Sequence, residues 1–510
     1  MFCSTTLSAF TSSKQLPQGK VLTPQFGTAL PTTTPPMLTV PAATDTFTAR
    51  PNVKPESLSP EKNPWLAAVV QARSPIGEPI TLFTLKNGHR ILINQKNTDI
   101  ISIRTFIDAG SVLEDGVYPS RLYRNIGLPS GIAHLDEHCH FLTTEHFPQK
   151  NAWSQMISRY GAYANASTDN EVIQHEMLFN REDLATMLAL HAESLLHPLY
   201  KPEDIPQEKA AVLNEVALRT KEAAFKLDSK LDELLFERPA TQTGGKPLDV
   251  ATTSADQLHL FYRAAYTPDR MVTVLSGKVD PAAALAILGP AFGNNPNRCS
   301  FPGNSAMETA LLPPNERRFA NLYSDEWSNN KIMMGFPAPS ATNLKDRMAM
   351  EFLVEALDGG PLAALPVKLI VQSHLAFQEQ MNYEPMKHTG AVRLHLDCTP
   401  GQEQKLLLTT LDLLSSYGQN VMPPDTVSSI RQRLVTHFKQ NQDTVAQVTE
   451  QMGGETLSQS LPYYLNYEAL AASITGEDIA RVAKTYLNPQ RYAAVFGFPA
   501  KPAQPTYRGA

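Results

Sequence analysis

The sequence predicts an α+β fold in two homologous halves, and three observations carry that reading. Stretches of apolar/polar alternation are separated by longer stretches with helical spacing. One pattern also occurs twice. Ser254-Ala-Asp-Gln-Leu-His-Leu-Phe-Tyr-Arg-Ala-Ala-Tyr266 runs into Pro268, Arg270, an apolar stretch over 271–275 and Gly277. Thr475-Gly-Glu-Asp-Ile-Ala-Arg-Val-Ala-Lys-Thr-Tyr486 runs into Pro489, Arg491, an apolar stretch over 492–496 and Gly497. The opening hydroxyl residues lie 221 positions apart, as do the two prolines. In each copy a Ser or Thr N-cap opens an amphipathic helix, and a proline then forces the chain towards an extended strand. Finally, 510 residues are ample for two large cores or three smaller ones.

The elements follow in chain order. Residues 1–75 are rich in Pro, Ser and Thr, with no acidic residue before Asp45, and read as a disordered arm that buries too little apolar surface to offset its ordering entropy. The arm lacks the apolar stretch of a secretory signal, and a solvated tail is preferred over a transit peptide because Arg is absent before Arg50. Thr84-Leu-Lys-Asn-Gly-His-Arg-Ile-Leu-Ile93 holds an Asn87-Gly88 turn signal before an apolar run, the mark of a hairpin. Residues 100–107 alternate and predict a half-buried strand. The globular halves are expected over 76–292 and 315–500, joined by the Gly/Asn/Pro-rich stretch 293–314, with a tail at 501–510. The pairs Gly359-Gly360 and Gly453-Gly454 read as turns rather than phosphate cradles.

Composition excludes several functions. With 44 Lys+Arg against 50 Asp+Glu, the net charge of −6 argues against a general nucleic-acid binder. No apolar run approaches the ~20 residues of a membrane span. Cys3, Cys139, Cys299 and Cys398 are scattered, as suits a reducing compartment. The cytoplasm is favoured, with organelle import by the N-terminal arm as the alternative. There is no GxSxG elbow, P-loop or GxGxxG before a helix.

One segment has the spacing of a reaction centre, Gly131-Ile-Ala-His-Leu-Asp-Glu-His-Cys-His-Phe141. On a helix, His134 and His138 lie one turn apart on one face, where both imidazoles can reach one metal ion, and Glu137 borders that face. This HxxEH order is the inverse of the HExxH of zincins. A zinc site needs a third protein ligand and an open fourth position. Glu208-Lys-Ala-Ala-Val-Leu-Asn-Glu215 predicts a helix whose two acids, almost two turns apart, point the same way. Glu215 is the expected third ligand of one Zn²⁺ ion, and Glu208 the carboxylate behind a ligating imidazole. His140 and His146 read as ordinary polar residues rather than further ligands, and Cys139 as a small core residue.

These residues resemble the pitrilysin/insulinase zinc metallopeptidases, the inverzincins. Gly131–His138 is similar to the family's G-L-A-H-x-x-E-H, and Glu208 and Glu215 to its E-x6-E, 77 residues beyond the second histidine. Gly161-Ala-Tyr-Ala-Asn-Ala-Ser-Thr168 resembles its G-x-x-x-N-A-x-T edge strand, and Thr84-Leu-Lys-Asn-Gly88 its T-L-x-N-G opening. The resemblance runs from about residue 80 to 500 and is closest to the short two-domain members, such as mitochondrial processing peptidase subunits. It implies two α/β sandwich halves closing like a clam around a peptide chamber. It implies a zinc endopeptidase in which Glu137 is the general base towards metal-activated water, and Asn165, Ala166 and Ser167 hold the substrate as an added strand.

Two departures stand out. Asp136 replaces an apolar residue between the histidines; at i+2 from His134 it should face away from the metal and find a local partner. The family's L-R-E-K-R-G-L-A-Y, whose Arg and Tyr reach the substrate carbonyl, is matched by Leu369-Ile-Val-Gln-Ser-His-Leu-Ala-Phe377, so Ile370 and Phe377 stand where the pair should be. The resemblance then implies a second homologous subunit supplying Arg and Tyr, or a homodimer. The alternative is a non-catalytic peptide-binding or structural subunit.

Overall fold

The computed structural model describes residues 58–114, 128–236, 243–296 and 316–499. The first half opens with strands β1 (Leu66–Arg73), β2 (Pro79–Leu85), β3 (Arg90–Gln95) and β4 (Ile100–Ile107). Helices α1 (Ile132–Cys139) and α2 (Ala152–Arg159) precede strands β5 (Tyr163–Thr168) and β6 (Ile173–Asn180). Helices α3 (Leu184–Leu196), α4 (Ile205–Arg219), α5 (Ala223–Leu235), α6 (Pro247–Thr252) and α7 (Ala255–Ala265) lead to strand β7 (Met271–Gly277) and helix α8 (Pro281–Gly293).

The second half begins with β8 (Arg317–Ser324), β9 (Asn330–Pro337) and helix α9 (Leu344–Asp358). A π-helical segment at Pro366–Gln372 precedes β10 (Ala376–Pro385) and β11 (Gly390–Cys398). Helices α10 (Glu403–Gln419), α11 (Pro424–Gln440), α12 (Val445–Leu457), α13 (Leu461–Leu465), α14 (Tyr467–Ser473) and α15 (Gly476–Tyr486) lead to β12 (Tyr492–Pro499).

The duplication is visible in the topology. The first sheet has the order β1-β2-β3-β7-β4-β6-β5 and the second β10-β11-β9-β12-β8. Reading the second backwards, β8 and β12 pair in parallel as β3 and β7 do, and β9, β11 and β10 follow as β4, β6 and β5 do. Among the described residues, the first half alone adds a β1–β2 hairpin beyond β3. Both N-caps read from the sequence close capping boxes. Ser254 Oγ accepts from Gln257 N at 3.2 Å, and Thr475 Oγ1 from Asp478 N at 3.3 Å. Asn87-Gly88 turns β2 into β3 with Gly88 at φ 94°.

The arm is shorter than expected. Strand β1 starts at Leu66, inside the stretch assigned to solvent up to residue 75, because Leu66 enters the core and Trp65 packs on Gly289 and Gly293 of α8. Residues 1–57, most of the 293–314 linker and the 501–510 tail lie outside the described residues. Among the described residues, no helix is long and apolar enough to cross a membrane.

The halves also exchange helices. Helix α12, from the second half, lies on β4 and β7 of the first sheet, and α5, from the first half, lies on β12, β9 and β8 of the second. Phe106, Val272 and Val274 thus share a core with Val448 and Met452, while Leu227 and Leu231 share one with Met333 and Val495. Ser102 Oγ and Thr449 Oγ1 meet at 2.8 Å across the junction. This corrects two expectations. Strand β4 is buried on both faces rather than one, because α12 covers the face that alternation assigned to water. Gly453-Gly454 is not a turn but part of α12, where Gly453 lets the helix approach the Phe106 ring.

A Cβ at Gly453 would stand 1.8 Å from a Phe106 ring carbon. Gly453→Ala is therefore expected to destabilise the protein by about 2 kcal/mol through overpacking, despite the better helix propensity of alanine. Denaturant unfolding checks this, and Phe106→Leu in the same chain should recover part of the loss.

Candidate metal centre

Helix α1 is placed by backbone contacts before any side chain acts. Gly131 sits at φ 86°, and a Cβ there would stand 2.9 Å from Gly244 O, so the two loops meet main chain to main chain. The first amides of the helix are taken by a buried carboxylate. Glu114 Oε2 accepts from Gly131 N at 2.6 Å and Oε1 from Ala133 N at 2.9 Å. A negative group at a helix N-terminus also answers the helix dipole.

One turn apart on this helix, the rings of His134 and His138 meet edge to face with centroids 4.8 Å apart. Helix α4 brings Glu215 to them, with Oε2 3.6 Å from His134 Nε2 and 3.8 Å from His138 Nε2. These three ligand atoms all lie within 4.8 Å of one another. Zinc with bonds of about 2.0–2.1 Å holds tetrahedral ligands about 3.3–3.5 Å apart, so this donor set fits the ion with small adjustments. Glu208 Oε2 lies 3.4 Å from His138 Nδ1, on the side of the ring away from Glu215. That contact orients the ring and leaves Nε2 turned towards the cluster. Burial, together with the neighbouring His138, pulls the His134 imidazole down to about 4, so it stays neutral with a lone pair to donate. Hydrogen bonding to His138 holds the Glu215 carboxyl below its usual range, opposed in part by burial.

The back of α1 is a separate, buried polar cluster. Asp136 faces away from the ligands and accepts from Tyr200 OH at 2.5 Å. His140 Nδ1 lies 3.0 Å from Asp136 O and 3.3 Å from Asp136 Oδ2, and its ring stacks on Tyr266 at 4.5 Å. The charge introduced by Asp136 is thus met locally. His146 pairs with buried Glu193 at 2.9 Å, and Cys139 is a buried core residue.

Glu137 is fixed by a residue that spacing alone did not single out. Thr168 Oγ1, at the end of β5, donates to Glu137 Oε2 at 2.8 Å. Glu137 and His138 form one wall of a cleft of about 660 Å³, floored by Phe141, Leu142 and Ile157 and bounded by β5. Among the described residues, strand β5 is an edge of the first sheet, paired only with β6. Asn165 and Ala166 line the cleft. Ser167 instead accepts from Gln174 Nε2 at 2.7 Å. Thr168 closes the segment Gly161–Thr168, but its partner is 31 residues away; Glu114, 17 residues before Gly131, offers no local signal.

The second half supplies no donor at the two substituted positions. Ile370 lies in the π-helical segment, partly buried against the second core. Phe377 is on the edge strand β10 and 48 % exposed.

Comparison with known proteins identifies the family. A family profile described as "Insulinase (Peptidase family M16)" matches residues 90–242, and one described as "Peptidase M16 inactive domain" matches residues 252–434. An uncharacterized zinc protease of Mycobacterium tuberculosis is 24% identical over 72% of this chain and 84% of its own length. The mitochondrial-processing peptidase alpha subunit of Bos taurus is 22% identical over 88% of this chain and 87% of its own. Among solved structures, a protease from Helicobacter pylori superposes with a TM-score of 0.73 at 19% identity, covering 83% of this chain and 100% of that one. A peptidase M16 inactive domain from Pseudomonas fluorescens has a TM-score of 0.71 at 16% identity, covering 85% and 100%. Two family profiles in succession, two topologically matched sheets and an inverse histidine–glutamate motif lead to one conclusion: the chain belongs to the insulinase family of M16 peptidases.

Proposed function

We propose that this chain is a zinc-dependent endopeptidase acting on peptides or unfolded segments, and the zinc-bearing member of a two-chain assembly. The convergence of His134, His138 and Glu215 within 4.8 Å, beside a cleft bounded by the edge strand β5, carries the reading. Those three residues would hold the ion. When bound, zinc supplies Lewis acidity, making water nucleophilic near neutral pH and withdrawing charge from the peptide carbonyl.

The remaining work falls to the chain's own residues. The edge of β5 binds substrate backbone as an added strand, which selects extended peptides and tolerates varied side chains. Glu137 takes the proton from the attacking water and returns it to the departing amine. Thr168 holds that carboxylate in one rotamer, and Glu208 does the same for His138. The apolar floor of Phe141, Leu142 and Ile157 suits a non-polar substrate side chain.

Ile370 and Phe377 cannot donate a hydrogen bond to the developing oxyanion, a contribution whose loss typically costs about 10²–10³ in rate. A second, homologous subunit carrying Arg and Tyr would restore it; the similarity to a processing-peptidase alpha subunit supports a paired assembly. The same absence favours one other reading, a non-catalytic peptide-binding subunit.

Metal analysis separates the two. The purified chain is expected to retain close to one zinc per chain, Glu215→Gln to lose it, and peptide cleavage to rise on adding the partner subunit. A wild-type chain with no more zinc than Glu215→Gln would overturn the enzyme reading. Full activity in the isolated monomer would overturn the shared-site part.

A further inference from the structure

Among the described residues β8 is an edge of the second sheet, and the repeat shows what kind of neighbour such an edge accepts. Its counterpart β3 lies between the parallel partner β7 and the antiparallel partner β2. Strand β8 has the parallel partner β12 and no strand on its other side among the described residues. An eight-residue edge therefore carries main-chain donors and acceptors that join no ladder among the described residues.

The side chains beside that edge are apolar where β2 would be expected to shield them. Phe319 and Tyr323 are 52 % and 60 % exposed. They continue an aromatic row on one face of the sheet: Phe319 packs on Tyr492 at 5.7 Å, and Tyr323 stacks on Phe498 at 5.5 Å. Flanking them, the side chains of Arg317 and Asp325 make no hydrogen bond or ion pair among the described residues.

We propose that a second copy of this chain docks here, adding its own β8 in antiparallel register about Asn321. The sequence is self-complementary about that residue. Phe319 comes opposite the partner's Tyr323, Ala320 opposite the partner's Leu322, and Arg317 opposite the partner's Asp325. Each pair occurs twice across the two-fold axis, giving two aromatic pairs and two ion pairs. One step further out, Glu316 would face the partner's Glu326, but each is already bound to a cation of its own chain, Arg318 at 2.7 Å and Lys226 at 3.1 Å. The pairing joins the two five-stranded sheets into one and removes both edges. Eight residues a side lie at the low end of stable interfaces, so a micromolar, concentration-dependent dimer is expected. This contact is at the opposite side of the second sheet from β10 and is independent of the peptidase reading.

Charge exchange tests it. Arg317→Asp and Asp325→Arg each set like charges opposite one another twice, and each should weaken self-association of the full chain about tenfold in sedimentation equilibrium. The two changes together restore both ion pairs and should return the association to within about threefold of wild type. Arg317 opens β8 and Asp325 follows its last residue, so the two lie roughly 25 Å apart, beyond the reach of screened surface charges, and only a second copy can produce the rescue. In a Cys3→Ser/Cys299→Ser background, Asn321→Cys should form a disulfide-linked dimer on mild oxidation, because the residue faces itself. A chain monomeric at every concentration, an association indifferent to either reversal, or a double variant as weak as the singles would overturn self-pairing. The last result would assign the edge to a strand of a different protein.

Discussion

Glu137→Gln is expected to lower kcat for peptide hydrolysis by about 10³-fold or more, with zinc content and KM unchanged. The expectation follows from what the substitution spares. Glutamine has nearly the same shape, and its carbonyl oxygen can still accept the 2.8 Å hydrogen bond from Thr168. The ligand atoms of His134, His138 and Glu215 are untouched, so metal binding should survive. Only proton transfer is lost, and it is needed twice, from the water and to the amine; general acid–base catalysis typically contributes about 10²–10⁴. Thr168→Val should give a smaller loss of about tenfold in kcat, since the base remains but its rotamer is freed. Single-turnover assays with zinc-loaded protein and its partner subunit decide the matter. An active Glu137→Gln enzyme would transfer the base role to another group. A zinc-free one would show that Glu137 shapes the site rather than the chemistry.

The parts of this site legible in the sequence are those set by local geometry. Helical spacing placed His134 beside His138, and a second helix carried Glu208 and Glu215 on one face. Hydroxyl N-caps marked α7 and α15, whose capping boxes form within four residues. What escaped depends on distant chain segments. Glu114 caps α1 from 17 residues before Gly131, and Thr168 reaches Glu137 from a strand. Nothing local in 100–107 says that a helix more than 300 residues later will cover its polar face; that is why β4 was read as half-buried. The same exchange makes Gly453 a contact surface for Phe106 rather than a turn. Strand β1 gives little sequence signal because its alternation is weak and Pro64, Ser74 and Pro75 flank it.

A second large effect is expected in the acid stability of the first half. His89 Nε2 meets Thr273 Oγ1 at 2.9 Å, Thr273 meets Thr105 Oγ1 at 2.8 Å, and Thr105 meets His191 Nε2 at 2.8 Å. Three hydrogen bonds share two hydroxyl protons, so one imidazole must donate and the other accept. The accepting ring must then be neutral, since protonating it would set two donors head to head, and burial disfavours a charge on the donating ring as well. Burial accordingly pulls both His89 and His191 down to about 3, helped at His89 by the nearby Arg90 charge. In the unfolded chain each titrates near its ordinary value of about 6.5.

Between those limits the unfolded state binds more protons, so the stability each ring contributes is complete above about 6.5 and is lost as the pH falls towards 3. At pH 5 the loss is about 2 kcal/mol per histidine, or roughly 4 kcal/mol for the pair. Other groups act with the opposite sign. Glu379 is pushed up to about 8, first by burial and then by Asp358, and its raised carboxyl favours the folded state on acidification. The test is therefore a difference. Glutamine can donate and accept without titrating, so His191→Gln, in metal-free protein, should gain about 2 kcal/mol relative to wild type between pH 7.5 and 5. His89→Gln should gain a similar amount, and parallel denaturation curves at the two pH values would show that these imidazoles are not held neutral by the fold.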